Sequence, residues 1–326
     1  MLYLNRNLKK KKTLFTLAIL AISPLATLAS DSATQNLSAI EQQLQQAITD
    51  VNSSVNSNFN LPVDTKSNEV KEPLSPTVRP AIKPAEKPRT LSVELQTQLL
   101  QEMIFVEGGS FEMGSRLSTA ANREKPAHKV TLDSFYIGKT EVTQQLFEAI
   151  MGWDYSYFSC ATCPVNNISW FNMQLFIERL NQATGKVFRL PTEAEWAYAA
   201  KGGQQSKNYL YSGSDNIDDV AWYAGNAEKR SHPVATKKPN ELGLYDMTGN
   251  LWEFCQDTMK RHIYTEKPRV NPLYQPSSDL KKKTMKVLRG SGYEFAAHES
   301  EVFRRDGATS NVRMPDIGFR LALTKK

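Results

Sequence analysis

Apolar positions along this chain fall into step with a helical period in a few short stretches and alternate in several others. Residues 143–151 carry Leu146, Phe147 and Ile150 on one face, and residues 170–182 carry Phe171, Leu175, Phe176 and Leu180, so each predicts an amphipathic helix. A third helix is predicted after Pro191, where Thr192 is a good N-cap and Glu195 sits three residues on, the spacing of a capping box. A short lead-in helix is expected over residues 91–101. The run from Phe105 to Phe111, split by Gly108 and Gly109, predicts a strand, a glycine turn and a second strand. Residues 128–137 alternate as one further strand, and 287–289 and 318–322 predict late strands. From Tyr209 onward the chain is rich in Gly, Asn and Asp, the composition of loops, and no internal repeat stands out.

The first hundred residues follow other rules. Arg6 and the run from Lys9 to Lys12 precede an apolar stretch, residues 13–28, that ends in small residues around Ala29. This is the pattern of a secretory signal over residues 1–29; an uncleaved anchor is the alternative, but the stretch is shorter than the roughly 20 residues a spanning helix needs. No cysteine follows at a lipidation position, and no later stretch is apolar enough to span a membrane. Residues 30–100 read as a disordered Gln- and Pro-rich linker, with one short helix expected at 37–51 from Ile40, Leu44, Ala47 and Val51. Residues 101–326 are long enough for a single sizeable core.

Charge changes the picture little. The net charge is +6, but five of the basic residues lie in the expected signal, so the remainder is close to neutral. No basic cluster interleaved with aromatics calls for nucleic acid. Of the three cysteines, Cys160 and Cys163 bracket a short loop and suit a structural disulfide in an exported chain, with a redox pair or half a metal site as alternatives. Cys255 lies in an apolar-aromatic run and is expected to be buried.

Four blocks stand out in order. They are Met103-Ile104-Phe105-Val106-Glu107-Gly108-Gly109-Ser110-Phe111-Glu112-Met113-Gly114; Phe188-Arg189-Leu190-Pro191-Thr192-Glu193-Ala194-Glu195-Trp196-Ala197-Tyr198-Ala199-Ala200; Pro239-Asn240-Glu241-Leu242-Gly243-Leu244-Tyr245-Asp246-Met247-Thr248-Gly249-Asn250-Leu251-Trp252-Glu253; and Val287-Leu288-Arg289-Gly290-Ser291-Gly292-Tyr293 with Ile317-Gly318-Phe319-Arg320. Together, across some 220 residues, they resemble the formylglycine-generating-enzyme (sulfatase-modifying factor) family. The resemblance implies a single loop-rich α+β domain related to C-type lectins. On this fold the second block reads as architecture: Thr192 and Glu195 cap a helix, Trp196 and Tyr198 fill the core, and Arg189 pairs with a carboxylate.

The resemblance also implies a chemistry, and here the chain departs from it. The family oxidises a sulfatase cysteine to formylglycine with copper held by two thiolates just after the fourth block. Those positions are Phe295 and Ser300. Soft thiolates select Cu(I), which neither side chain replaces, so copper is not expected. Related sulfoxide synthases bind iron through three histidines. This chain has only His128, His232, His262 and His298, widely spaced, and iron held by His298 with Glu299 or Glu301 stays open as an alternative, as does an oxidoreductase acting in protein or natural-product maturation. By resemblance, Asp246 and Glu253 side chains with the carbonyls of Gly249 and Leu251 form a structural calcium site; otherwise Asp246 caps a turn and Glu253 pairs with a basic residue. The expected role is therefore a secreted or periplasmic binding or scaffold protein with a protein, peptide or glycan partner. Its expected ligand face is the loop carrying Tyr293, Phe295, His298 and Arg304.

Overall fold

A computed structural model of the chain describes residues 91–260, 262–276 and 283–324. The expected signal, the linker up to residue 90 and the helix at 37–51 lie outside the described residues. Helix α1 (Val93–Gln101) starts at Ser92, whose Oγ accepts from Leu95 N at 3.2 Å. It packs Leu99 into the main core beside Met103. The folded domain thus begins before residue 101, the boundary expected from composition.

The next three helices form where local signals place them. Helix α2 (Gln144–Met151) is capped by Thr143 and stops at Gly152, which takes φ 77°. Helix α3 (Trp170–Thr184) opens on a capping box between Ser169 and Asn172 and stops at Gly185, φ 65°. Helix α4 (Glu193–Ala200) opens on the box of Thr192 and Glu195, with bonds of 3.1 and 2.8 Å. Phe147 of α2 stacks on Phe176 of α3 with ring centroids 5.3 Å apart. The face of α3 differs from the expected stripe in one place: Met173 and Ile177 are buried with Phe176 and Leu180, whereas Leu175 turns outward. A further short helix, α5, spans Ile217–Val220.

Strands β1 (Met103–Val106), β4 (Phe135–Gly138), β11 (Ala322–Thr324) and β5 (Phe188–Arg189) make one antiparallel sheet, in that order. Strands β2 (Gly109–Met113), β3 (His128–Leu132) and β7 (Arg269–Val270) make a second. In the third, β6 (Trp252–Thr258) lies between β10 (Ile317–Gly318), which runs parallel to it, and β8 (Met285–Arg289), which pairs outward with β9 (Arg305–Thr309). The single strand expected at 128–137 is therefore two, broken at Asp133 and Ser134 and shared between two sheets. The first strand pair also divides, at Gly108, where a Cβ would come within 2.5 Å of Leu132 O. The late strand expected at 318–322 is likewise interrupted, because Phe319, Arg320 and Leu321 turn inward between β10 and β11. The two larger of the apolar clusters lie around α2 and α3 and around α4, whose Trp196 and Tyr198 are buried as expected.

Candidate functional site

The segment that follows β8 builds the region where the family resemblance puts its chemistry. Gly290 and Ser291 both take positive φ, 95° and 68°, and turn the chain so that Gly292 lies against Trp252 at the start of β6. Trp252 N donates to Asp316 O at 2.8 Å, which brings the residue before β10 to the same place. Phe295 stands edge-on to Trp252, with centroids 5.3 Å apart and an interplanar angle of 86°. Ser300 is 2% exposed, and its Oγ lies 3.1 Å from both Ser291 Oγ and Ala296 O. One position is filled by an apolar ring and the other by a hydroxyl within a neutral hydrogen-bond pair. Neither offers a soft anionic ligand.

The expected ligand face does not hold together as one surface. Tyr293 is only 3% exposed and packs against Ala227, Leu251 and Trp222. Arg304 is engaged by Glu124 at 3.2 Å and by Glu301 at 2.5 Å. Phe295 is half-buried on Trp252, and His298 alone of the four is exposed. Two further residues were not singled out from the sequence. Asp316 is 5% exposed, and its Oδ1 is buried without a hydrogen-bond partner among the described residues. Tyr157, 65% exposed, stands edge-on to Phe158 with centroids 4.9 Å apart. Burial pushes the Tyr293 hydroxyl up to about 12, with the charges of Glu294 and Asp316 and the nearby Tyr157 adding to it. Burial also raises the Asp316 carboxyl, and Glu294 adds to that shift. The sequence marks their places but not their surroundings: an acid directly before Ile317-Gly318-Phe319-Arg320, and an aromatic run from Tyr155 to Phe158.

The four positions of the expected calcium site fall close in sequence but behave differently. Asp246 is 2% exposed; its Oδ2 accepts from Ala235 N at 2.8 Å, while Oδ1 is buried with no partner among the described residues. Glu253 is fully buried and held bidentately by Arg320, Nη2 to Oε1 and Nε to Oε2, each at 2.7 Å, with Trp196 Nε1 donating to Oε2 at 2.8 Å. The pairing alternative thus describes Glu253. Gly249 takes φ 77°, and Leu251 N donates to Glu141 Oε1 at 3.1 Å. Glu141, not singled out from the sequence, also accepts from Asn250 Nδ2 at 3.0 Å and is raised well above the usual carboxylate range by burial and then by Asp246 and Glu253. Burial raises Asp246 to about 6. Asp246 therefore fits a cation with one open oxygen, whereas Glu253 is committed to Arg320. Among the described residues, no group of three or more His, Cys, Asp or Glu side chains is arranged to hold a metal.

The cysteines separate as expected. Cys160 and Cys163 form a disulfide. Their loop lies over the start of α2, where Gln144 N donates to Cys163 O at 2.9 Å and Gln145 N to Ala161 O at 3.0 Å. Cys255 is a free thiol, fully buried and raised well above its ordinary value by that burial.

Residues 89–325 match the sulfatase-modifying factor enzyme 1-like domain family. The chain is similar to "Chaperone protein LppX" of Paenibacillus barcinonensis, 30% identical over 281 residues that cover 70% of this chain and 91% of that one. It is 32% identical over 177 residues to a formylglycine-generating enzyme of Streptomyces coelicolor, covering 49% of this chain and 52% of the relative. Among solved structures, Treponema denticola variable protein 1 has the same fold, with a TM-score of 0.61, 29% identity, and coverage of 68% of this chain and 95% of that chain.

Proposed function

This chain belongs to the sulfatase-modifying factor enzyme 1-like domain family, and we propose that it is an extracytoplasmic member that binds a protein or peptide partner and lacks formylglycine-generating oxidase activity. The observation that carries this reading is the packing of Phe295 on Trp252 together with the hydrogen bonding of Ser300 to Ser291, at the two positions where the family's thiolates belong. The remaining thiols offer no substitute, since Cys160 and Cys163 are bonded to each other and Cys255 is fully buried within β6. Similarity to a relative named as a chaperone supports a binding role, and the disulfide together with the signal-like N-terminus supports an oxidising compartment. The test is to incubate the purified protein with copper, oxygen, a reductant and a peptide carrying the sulfatase Cys-x-Pro-x-Arg motif, and to look for an aldehyde by mass spectrometry. No aldehyde is expected; turnover that chelation abolishes would overturn the reading.

Calcium is part of the same proposal. Asp246 would hold it through the open Oδ1, with the carbonyls of Gly249 and Leu251 as the further oxygens that the family resemblance assigns. Calcium would supply structural charge neutralisation and no redox chemistry.

A further inference from the structure

The bond between Cys160 and Cys163 spans only Ala161 and Thr162, both exposed, so it closes too small a ring to constrain much of the unfolded chain. Its two ends differ. Cys163 is 4% exposed, whereas Cys160 is half-buried and its Sγ makes an exposed contact with Thr162 Oγ1 at 3.9 Å. The loop is held over the first turn of α2, where Gln144 N donates to Cys163 O and Gln145 N to Ala161 O. The Gln144 side chain, itself buried, grips the loop a second time: its Nε2 donates to Phe158 O and its Oε1 accepts from Cys160 N, each at 2.9 Å. One amide therefore fixes Cys160 beside the edge-to-face pair of Tyr157 and Phe158, both exposed. A disulfide with one accessible sulfur thus adjoins an exposed aromatic surface.

Resting on the export and partner-binding reading above, we propose that this disulfide exchanges with thiols of the protein partner and oxidises a pair of cysteines that lie among apolar residues. A partner thiolate attacks Cys160 Sγ, the sulfur within reach. A bond forms between the partner's sulfur and Cys160, the Cys160–Cys163 bond breaks, and Cys163 leaves as a thiolate that takes up a proton. The partner's second thiolate then attacks its own sulfur in the mixed disulfide and releases Cys160. The partner gives up two electrons and two protons as its disulfide forms, and Cys160 and Cys163 receive them as two thiols. A small-molecule or protein disulfide of the surrounding compartment restores the bond by the reverse exchange. The neighbouring groups favour both departures. Cys163 leaves at the positive end of α2, where a thiolate is stabilised and so leaves faster. The Thr162 hydroxyl is placed to donate to Cys160 as it leaves. Tyr157 and Phe158 offer apolar surface to the residues that flank the partner's cysteines.

The experiment mixes the oxidised full chain with a reduced peptide that carries two cysteines between phenylalanines, and follows the peptide disulfide by mass spectrometry. A peptide with serines for the phenylalanines is one comparison, and oxidised glutathione in place of the protein is the other. The protein should oxidise the phenylalanine peptide at least about tenfold faster than the same concentration of glutathione disulfide does. It should oxidise the serine peptide at least about threefold more slowly, a difference that Tyr157→Ala with Phe158→Ala should erase. Cys163→Ser should trap a mixed disulfide on Cys160 when given the oxidised peptide, and Cys160→Ser should trap none. Oxidation no faster than by glutathione, equal rates for the two peptides, or a mixed disulfide carried by Cys163 would refute the exchange. A phenylalanine peptide with its cysteines replaced by serine separates this proposal from the reading it rests on. If that peptide binds while the cysteine peptide is not oxidised, the exchange fails and the binding reading stands.

Discussion

Phe295 meets Trp252 edge to face at 5.3 Å, in the place where the family resemblance puts a copper-binding thiolate. The ring anchors the loop between β8 and β9 to β6, so this position is part of the packing. Restoring both thiols, Phe295→Cys with Ser300→Cys, should give a chain that gains copper(I) binding. It should also lose about 2–3 kcal/mol of stability from the missing ring. Competition with a copper(I) chelator measures the first effect and denaturant unfolding the second. A folded double variant with no gain in copper affinity would mean that the loop no longer brings the two positions together.

The disulfide fixes the loop over α2 by closing only a short ring, so its entropic contribution is at most about 2–3 kcal/mol. Intact-mass measurement after alkylation should show no reactive thiol in the native protein and one after unfolding, because Cys255 is fully buried. Three alkylated cysteines in the unreduced, unfolded protein would contradict the bond. Reduction should lower Tm by a few degrees and leave the fold intact.

Short helices were legible in the sequence because their signals are local. Thr192 with Glu195 and Thr143 with Leu146 lie within one turn of each other, and their bonds form inside the segment that carries the pattern. Sheet membership was not legible. β1 and β2 are separated by Glu107 and Gly108 alone yet pair with different strands, and β10 finds β6 across more than sixty residues of chain. The departure from the family's copper ligands is an expectation that rests on residue identity at Phe295 and Ser300. The unpartnered oxygen of Asp316 could not be recognised in the same way, because it comes from burial beside Gly292 and Trp252, which only the folded chain brings together.

Asp257 gives a pH prediction. Its Oδ2 accepts from Glu193 N at 2.7 Å at the start of α4 and its Oδ1 from Tyr274 N at 2.9 Å, yet burial, then the charge of Glu193, raises it to about 7. The folded state therefore holds a proton that the unfolded state has lost, and the group's contribution to stability falls as pH rises from about 4 to about 7. Asp257→Asn should lack this slope. It should carry a pH-independent penalty of about 1 kcal/mol, since the amide accepts from only one of the two N–H groups. The measurement is Tm of both proteins across that window; parallel curves would show that Asp257 stays ionised throughout.

Arg320 is tied on every side: to Glu253 through two bonds, to Gly138 O through Nη1 at 3.0 Å and to Tyr245 O through Nη2 at 3.0 Å. It joins β6, β4 and the turn between β10 and β11. Arg320→Met leaves Glu253 buried and unpaired and should cost about 3–5 kcal/mol in denaturant unfolding. Adding Glu253→Met should recover part of the loss. A single-variant cost below about 1 kcal/mol, the range of exposed pairs, would contradict the burial of this pair.

The charge count around Arg320 also motivates the calcium prediction. Glu141, Asp246 and Glu253 act on one another, and Arg320 is the cation that acts on both Glu141 and Asp246. One guanidinium against three buried carboxylates leaves an excess of negative charge that a protein interior tolerates poorly unless it is neutralised. A hard divalent ion suits the oxygens available, and Asp246 Oδ1 is the one without a partner. Because calcium would bind the folded form, a concentration of about 100 times Kd should add about 2.7 kcal/mol, seen as a rise in Tm that EGTA reverses. Asp246→Asn should abolish most of this response, since it keeps the side chain's shape but removes its charge, whereas magnesium should substitute poorly because it demands a tighter octahedral shell. An unchanged Tm on adding EGTA, in a protein shown by elemental analysis to be calcium-loaded beforehand, would place the ion elsewhere. An unchanged Tm on adding calcium to metal-free protein would leave the carboxylates to be neutralised by protons, and Asp246→Asn would then raise Tm at neutral pH in the absence of any metal.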